Sequence, residues 1–351
     1  MDAATLVRTI AGKCRPLTYL FIPSVRLVSR IGGSSQHRQL QQNLDIYCTE
    51  EQKQNKTYMR RLKRDMWYSF IVYDCPFYEY FLYQFPRLSH KGRMEFFTEY
   101  GQTRLSKKYS TAHSQDLMRD KWKTYQHFRE FFRRDMMPVE EGTTADGLAA
   151  FAASHPKLVI KPRGRLRGEG VRMVDAAALP PMEELREQNV VLEEPIVQCD
   201  FMARLHPASV NTVRVATAVK DGQVHILFAT LRMGRGGAFV DNAGAGGFAA
   251  AIDIDTGVVR TPGVSETFDY AVIHPDSGAQ IVGIHIPRWE ELKAISKKLA
   301  MVVPEQRYVG WDMALTDDGW VVIEGNHDGQ LLTQYITQEG MHEYLHKYLD
   351  I

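Results

Sequence analysis

Apolar residues recur at three- and four-residue intervals through a polar, heavily charged stretch over residues 52–135, where Tyr58, Met66, Trp67, Phe70 and Ile71 mark such a face. That spacing predicts amphipathic helices. Residues 111–116 read as a loop, and Asp120 then opens a periodic run through Trp122, Tyr125, Phe128 and Phe131 that predicts a further helix ending near Pro138. The pattern changes after residue 147. A short apolar run at 158–161, a Gly- and Arg-rich segment and a second run at 170–174 predict a hairpin with a long mobile tip. Beyond residue 190 strands dominate, expected at 189–192, 210–219, 224–232, 248–254, 308–315 and 320–324. Helices are expected there at 290–303, between Pro287 and Pro304, and at 337–348. Antiparallel hairpins without regular alternation of strand and helix predict an α+β chain rather than a doubly wound sheet.

The 351 residues give room for two or three packed units at roughly 100–200 residues each. Forty-three basic against 42 acidic side chains leave a net charge of +1, too balanced for a protein that coats nucleic acid, so no nucleic-acid partner is expected. The balance hides an asymmetry: residues 1–170 carry 29 basic and 17 acidic side chains, net +12, and the remainder is net −11. Cys14, Cys48, Cys75 and Cys199 form no C-x-x-C pair, which makes a reducing cytoplasm the expected compartment. No apolar run approaches the roughly 18–20 residues that span a bilayer, so no integral membrane segment is expected. Residues 3–44 lack acids but carry Arg8, Lys13, Arg15, Arg26, Arg30 and Arg38, which fits a basic N-terminal arm or a transit or membrane-surface segment.

The stretch from Tyr308 to Asn326 carries the most chemistry. Asp317-Asp318-Gly319 suits a three-residue hairpin loop with glycine at its left-handed position. That register pairs Thr316 with Trp320, Leu315 with Val321 and Met313 with Ile323, and sets Asp312 opposite Glu324. Alternation along the strand puts Asn326 on the face of Glu324, so three oxygen-bearing groups converge. Two opposed carboxylates repel unless a cation lies between them, and this hard oxygen set suits Mg²⁺. The alternative is an exposed hairpin with solvated acids.

Lys161 ends its predicted strand and precedes Arg163, Gly164, Arg165, Arg167, Gly168 and Gly170, a combination fit to close over a polyphosphate. It is neither a P-loop nor a dinucleotide fingerprint. A second glycine cluster spans residues 234–247, and Arg214 and Arg232 on adjacent strands offer guanidinium groups to phosphate or to a structural ion pair. His342-Glu343-Tyr344-Leu345-His346 matches a zinc-protease pattern, but only five residues follow it and no downstream third ligand exists, so an amphipathic C-terminal helix is the expected role.

Lys161 before a Gly-rich hairpin, the segment from Glu193 to Gln198, and Asp312 with Glu324-x-Asn326 together resemble the ATP-grasp fold. Ser209-Val-Asn211-Thr-Val-Arg214, Leu231-Arg232-Met-Gly-Arg-Gly-Gly, Asp241-Asn242 and Gly310-Trp-Asp312 resemble in particular the sugar-transfer-associated ATP-grasp family, over about residues 115–335. The resemblance implies nucleotide gripped between two α+β lobes, 111–192 with the lid and 193–351 with the metal site, behind a basic, mainly helical region at 1–110. It implies phosphate contacts from Lys121 and Lys161, a lid containing Gly164, Gly168 and Gly170, and an adenine hinge at Glu193, Glu194, Ile196 and Val197, with Asn211 also at the nucleotide. Asp312, Glu324 and Asn326 would carry two Mg²⁺ ions, or Mn²⁺ in their place, and Arg232, Arg214 and Lys161 would act on the transferred phosphoryl group.

The implied activity is that of an ADP-forming ligase. It would activate a carboxylate as an acyl phosphate for attack by an amine or thiol, both small molecules, in a polysaccharide or natural-product pathway. A kinase acting on a sugar or polyol hydroxyl and a non-catalytic nucleotide-binding protein stay open, as does a homodimer. One departure concerns substrate: related amino-acid ligases often carry Arg two residues before the metal Asp, where this chain has Gly310.

Overall fold

The structure is a computed structural model that describes residues 23, 35–165, 168–239, 241, 246–329, 331 and 333–351. The basic arm through Arg30, Cys14, the centre of the expected lid at 166–167 and Asn242 lie outside the described residues. Among those described, no helix is long and apolar enough to cross a membrane. The chain divides into one unit of residues up to Arg104 with Gln338–Lys347 and Ile351, and another of Leu105–Thr337 with Tyr348–Asp350.

The first unit is helical, as its periodicity predicts. The longest of its described helices, Lys56–Tyr73, is capped by the Asn55 side chain and buries Leu62, Met66, Trp67 and Val72. Trp67 packs edge-on to Phe77 and Phe70, with centroids 5.2 and 5.8 Å away. Arg93, only 4% exposed, is held by Asp65 through bonds of 2.7 and 3.1 Å, by Ser69 Oγ at 3.0 Å and by the Phe85 carbonyl at 3.0 Å. A buried guanidinium is tolerable only when paired in this way.

In the second unit, the segment expected as a loop at 111–116 is instead the start of a helix, Ala112–Arg119. Thr111 and Ser114 cap it reciprocally, each side chain accepting the other's backbone N–H at 3.1 and 3.0 Å. The next helix, Lys121–Phe132, stops at left-handed Arg133, so Met136–Pro138 is free to form strand β1. Strands β2 (Lys157–Pro162), β3 (Arg172–Asp175) and β4 (Val190–Glu193) join it in an antiparallel sheet of order β1-β4-β2-β3. Leu158, Ile160, Val190 and Leu192 bury its apolar face against Leu185 and Val139.

The larger antiparallel sheet runs β11-β10-β5-β6-β7-β8-β9. Its strands are β5 (Thr212–Lys220), β6 (Gln223–Met233), β7 (Phe248–Ile252), β8 (Gly263–Val264), β9 (Tyr270–Ala271), β10 (Tyr308–Thr316) and β11 (Gly319–Asn326). Val213, Val215, Leu231, Met233, Trp311 and Met313 share a core with Phe128 and Phe132 of helix Lys121–Phe132 and with Leu292 and Leu299 of helix Trp289–Val302. The helix expected at 337–348 is two short pieces, Thr333–Thr337 and His342–Leu345. Left-handed Gln338 falls between them, and a side chain at Gly340 would lie 2.4 Å from the Glu95 backbone.

The hairpin of β10 and β11 corrects the expected register. Thr316 pairs with Gly319, Leu315 with Trp320 and Met313 with Val322, so the loop is the two residues Asp317-Asp318. Continued unbroken, that ladder would set Ile323 opposite Asp312. A β-bulge between Asp312 and Met313 absorbs one residue of β11 and returns Glu324 to the position opposite Asp312. The bulge also reverses alternation: Trp320 and Val322 belong to the core, whereas Glu324 and Asn326 share the face of Asp312.

Candidate functional site

The N-terminus of helix Lys121–Phe132 is fixed by Asp120, whose Oδ1 accepts the Trp122 N–H at 2.9 Å. The same carboxylate holds Arg163 through bonds of 3.1 and 2.7 Å, which ties the helix start to the end of β2. Lys121, in the first turn, donates from Nζ to the Pro162 carbonyl at 3.0 Å and the Arg165 carbonyl at 2.6 Å. Burial lowers the pKa of its ammonium. Lys161 on β2 faces Glu193 on β4, Nζ to Oε2 2.7 Å. Glu193 is 1% exposed; burial would raise its carboxyl, but Arg134 and Lys161 together hold it below the ordinary value. Arg134 also donates to the Val322 carbonyl at 2.6 Å and so links the two sheets.

On the larger sheet Asp312 is 3% exposed and clamped by two arginines. Arg214, its neighbour across β5, binds it with Nε to Oδ1 and with Nη2 to Oδ2 at 2.7 Å. Arg232 on β6 donates from Nη1 to Oδ2 at 2.9 Å and lies 3.3 Å from Asp241, which Thr212 also binds. Burial alone would push the Asp312 carboxyl up, and the two guanidinium groups bring it down to about 2. Glu324 is shifted the other way, raised by burial and by Asp312 beside it. It makes no ion pair among the described residues, and its Oε1 accepts only the Asn326 amide at 3.4 Å.

A cleft is lined by Arg119, Lys121, Lys161, Glu193, Glu324 and Asn326. Of the residues expected at phosphate and metal, Lys121, Lys161, Glu324 and Asn326 line this cleft, and Asp312 pairs with Glu324 across the hairpin without lining it. Two carboxylates and an amide oxygen, with the charge on Glu324 unbalanced by an ion pair, form a donor set that fits Mg²⁺.

Other expected residues lie elsewhere. Asn211 does not line the cleft: it is fully buried, and its amide donates to the carbonyls of Met202 and His206, both at 2.8 Å, tying the segment before β5 together. Arg214 and Arg232 act on Asp312 rather than lining the cleft. Gly164, Gly168 and Gly170 are exposed, the last two left-handed at φ 71° and 75°. In the segment expected as the hinge, Ile196 is half-buried and Val197 exposed. Glu194 accepts the Asp135 N–H at 3.2 Å, with His155 Nε2 3.5 Å from Asp135 Oδ2. At Gly310 a side chain would meet Arg214 Cδ at 3.1 Å and the Gly329 backbone at 3.2 Å, so the stem of Arg214 takes the room that an arginine at 310 would need. Arg119 and Arg134 are members of the site that no motif marks; both are joined to it through contacts distant in sequence.

The model of the sugar-transfer associated ATP-grasp family matches residues 177–348. No curated protein matches the chain. Among solved structures, the ATP-grasp ligase PsnB with a minimal precursor is 16% identical over 64% of this chain and 56% of that one, with a TM-score of 0.40. N5-carboxyaminoimidazole synthase from Aspergillus clavatus, solved with ADP, is 10% identical over 66% and 54%, with a TM-score of 0.39. L-amino acid ligase from Bacillus licheniformis is 16% identical over 60% and 41%, with a TM-score of 0.33. The chain therefore spans about half the length of these proteins. Residues 177–348, which carry both arginines and all three oxygen donors of the Asp312 site, are thus the part of the chain that is similar to the sugar-transfer associated ATP-grasp family.

Proposed function

We propose that this chain is an ATP-dependent, ADP-forming ligase that activates a carboxylate as an acyl phosphate for attack by an amine or thiol. The observation that supports this most is the opposition of Asp312 and Glu324 beside a cleft lined by Lys121 and Lys161. A carboxylate oxygen would attack the γ-phosphorus of ATP while the bond to the β-phosphate breaks and ADP leaves. The amine or thiolate would then attack the acyl carbon, phosphate would depart with the oxygen that the carboxylate supplied, and an amine would lose its proton. No protein nucleophile is needed.

Mg²⁺ held by Asp312, Glu324 and Asn326, or Mn²⁺ in its place, would supply positive charge at the phosphate oxygens. Lys121 and Lys161 are held at the cleft by carbonyls and by Glu193, oriented to donate to those oxygens. Arg214 and Arg232 keep Asp312 ionised in a buried position. The segment 193–198 would read adenine through backbone groups, and 164–170 would exclude water from the acyl phosphate. Gly310 favours a second reading, a kinase acting on a sugar or polyol hydroxyl, because no side chain there can hold an acceptor carboxylate.

Product analysis with panels of acids and amines tests the proposal. ADP and phosphate should appear only when acid and nucleophile are both present, and hydroxylamine should trap the acyl group. AMP and pyrophosphate would refute it, and a phosphorylated product stable to hydroxylamine would establish the kinase.

A further inference from the structure

The cations around the cleft are not equivalent. Lys161 and Arg134 are paired with Glu193, Arg163 is paired with Asp120 and Glu140, and Lys121 is committed to two backbone carbonyls. Arg119 lines the same cleft, ends helix Ala112–Arg119 two residues before Lys121, and has no carboxylate partner among the described residues. Its contact is a neutral one, Nε donating to His327 Nε2 at 3.1 Å. A guanidinium has five N–H donors in a rigid fork, and this bond uses one, so among the described residues the four on Nη1 and Nη2 have no partner.

The contact also orients the fork. Because His327 Nε2 accepts, the ring proton sits on Nδ1, which lies 3.3 Å from Ser106 Oγ. Ser106, 4% exposed, donates to the His327 carbonyl at 2.9 Å, and Gln306 reaches that carbonyl at 3.4 Å. His327 follows Asn326 directly in sequence, so the ring that steers Arg119 is attached to the end of the metal-ligand strand. An oriented, unpaired guanidinium fork beside two lysines matches the geometry of a phosphate group.

We infer that Arg119 is a third cationic contact for the triphosphate of ATP and that His327 is its positioning residue. This rests on the nucleotide-binding part of the function proposed above. An arginine here complements the lysines: they act as point charges, whereas the fork fixes the orientation of one phosphate group.

The test is titration of Mg·ATP and, separately, adenosine into the full-length protein and its variants, with circular dichroism to confirm folding. Arg119→Ala should weaken ATP binding by about ten- to hundredfold, the range for losing a charged hydrogen bond, and leave adenosine affinity unchanged. Arg119→Lys should restore part of the loss. His327→Ala should weaken ATP binding less, with no further effect in the Arg119→Ala background, and His327→Gln should rescue it because its carbonyl can accept from Nε. Equal ATP affinity for Arg119→Ala and wild type, with Lys161→Ala weakened, would overturn the inference alone. A parallel loss of adenosine binding would also overturn it, as the mark of a structural defect. Wild-type protein that binds no ATP would overturn the inference and the ligase reading together.

Discussion

Asp312 and Glu324 face each other across two strands, yet their carboxyl groups are perturbed in opposite directions. Two arginines pull Asp312 down to about 2, while burial and that same Asp312 push Glu324 up. On the proposed reading, Asp312 is a fixed negative charge and a bound cation would favour the ionised form of Glu324. A third carboxyl, Glu79 in the helical unit, shows the same effect of burial. Glu79 is 3% exposed and accepts the Glu99 N–H at 3.0 Å and the Tyr83 hydroxyl at 3.1 Å. Burial raises it from 4.5 to about 8 against those two bonds. The folded state therefore keeps a proton that the unfolded state has lost, and its stability should fall as pH rises from about 4.5 through about 8. Glu79→Gln should flatten that part of the profile of melting temperature against pH; a profile identical to wild type would show that Glu79 titrates normally.

At the scale of elements, the β10–β11 hairpin shows what the sequence can and cannot reveal. That Asp312, Glu324 and Asn326 share one face is legible in residue type and spacing. The route to it is not: a three-residue loop without a bulge and a two-residue loop with one both set Glu324 opposite Asp312, and the pairings between loop and bulge, from Thr316 with Gly319 to Met313 with Val322, distinguish them. The helix start at Thr111 is hidden for a different reason, because Ser114 takes the capping position usually held by Glu or Gln and makes the segment read as polar loop. Beyond β11, Gly329 sits at φ 62° with space for no side chain; a Cβ there would lie 2.2 Å from the Tyr308 ring. Gly329→Ala combines overpacking with an unfavourable backbone conformation and should destabilise the protein by about 1–3 kcal/mol. Urea denaturation would measure it, and an unchanged midpoint would mean that the Tyr308 ring yields freely.

For the whole molecule, the α+β class, the strand order of motifs and the helical character of the first hundred residues follow from periodicity and composition. The gathering of Arg119, Arg134 and His327 does not, since each reaches its partners over separations that no local pattern encodes; the Arg119 bond to His327 spans 208 positions. Asn211 shows the converse, a motif residue whose amide is consumed by backbone carbonyls rather than offered to a ligand. On the proposed function, the Asp312 face of the hairpin should grip a divalent cation bound to ATP. Isothermal titration of ATP into the full-length protein, with and without Mg²⁺, compared with Glu324→Gln, tests it most directly. Binding should require Mg²⁺ in the wild type and weaken at least about tenfold in the variant, as expected for losing a charged ligand. Equal affinity in the two proteins, or affinity indifferent to Mg²⁺, would contradict it.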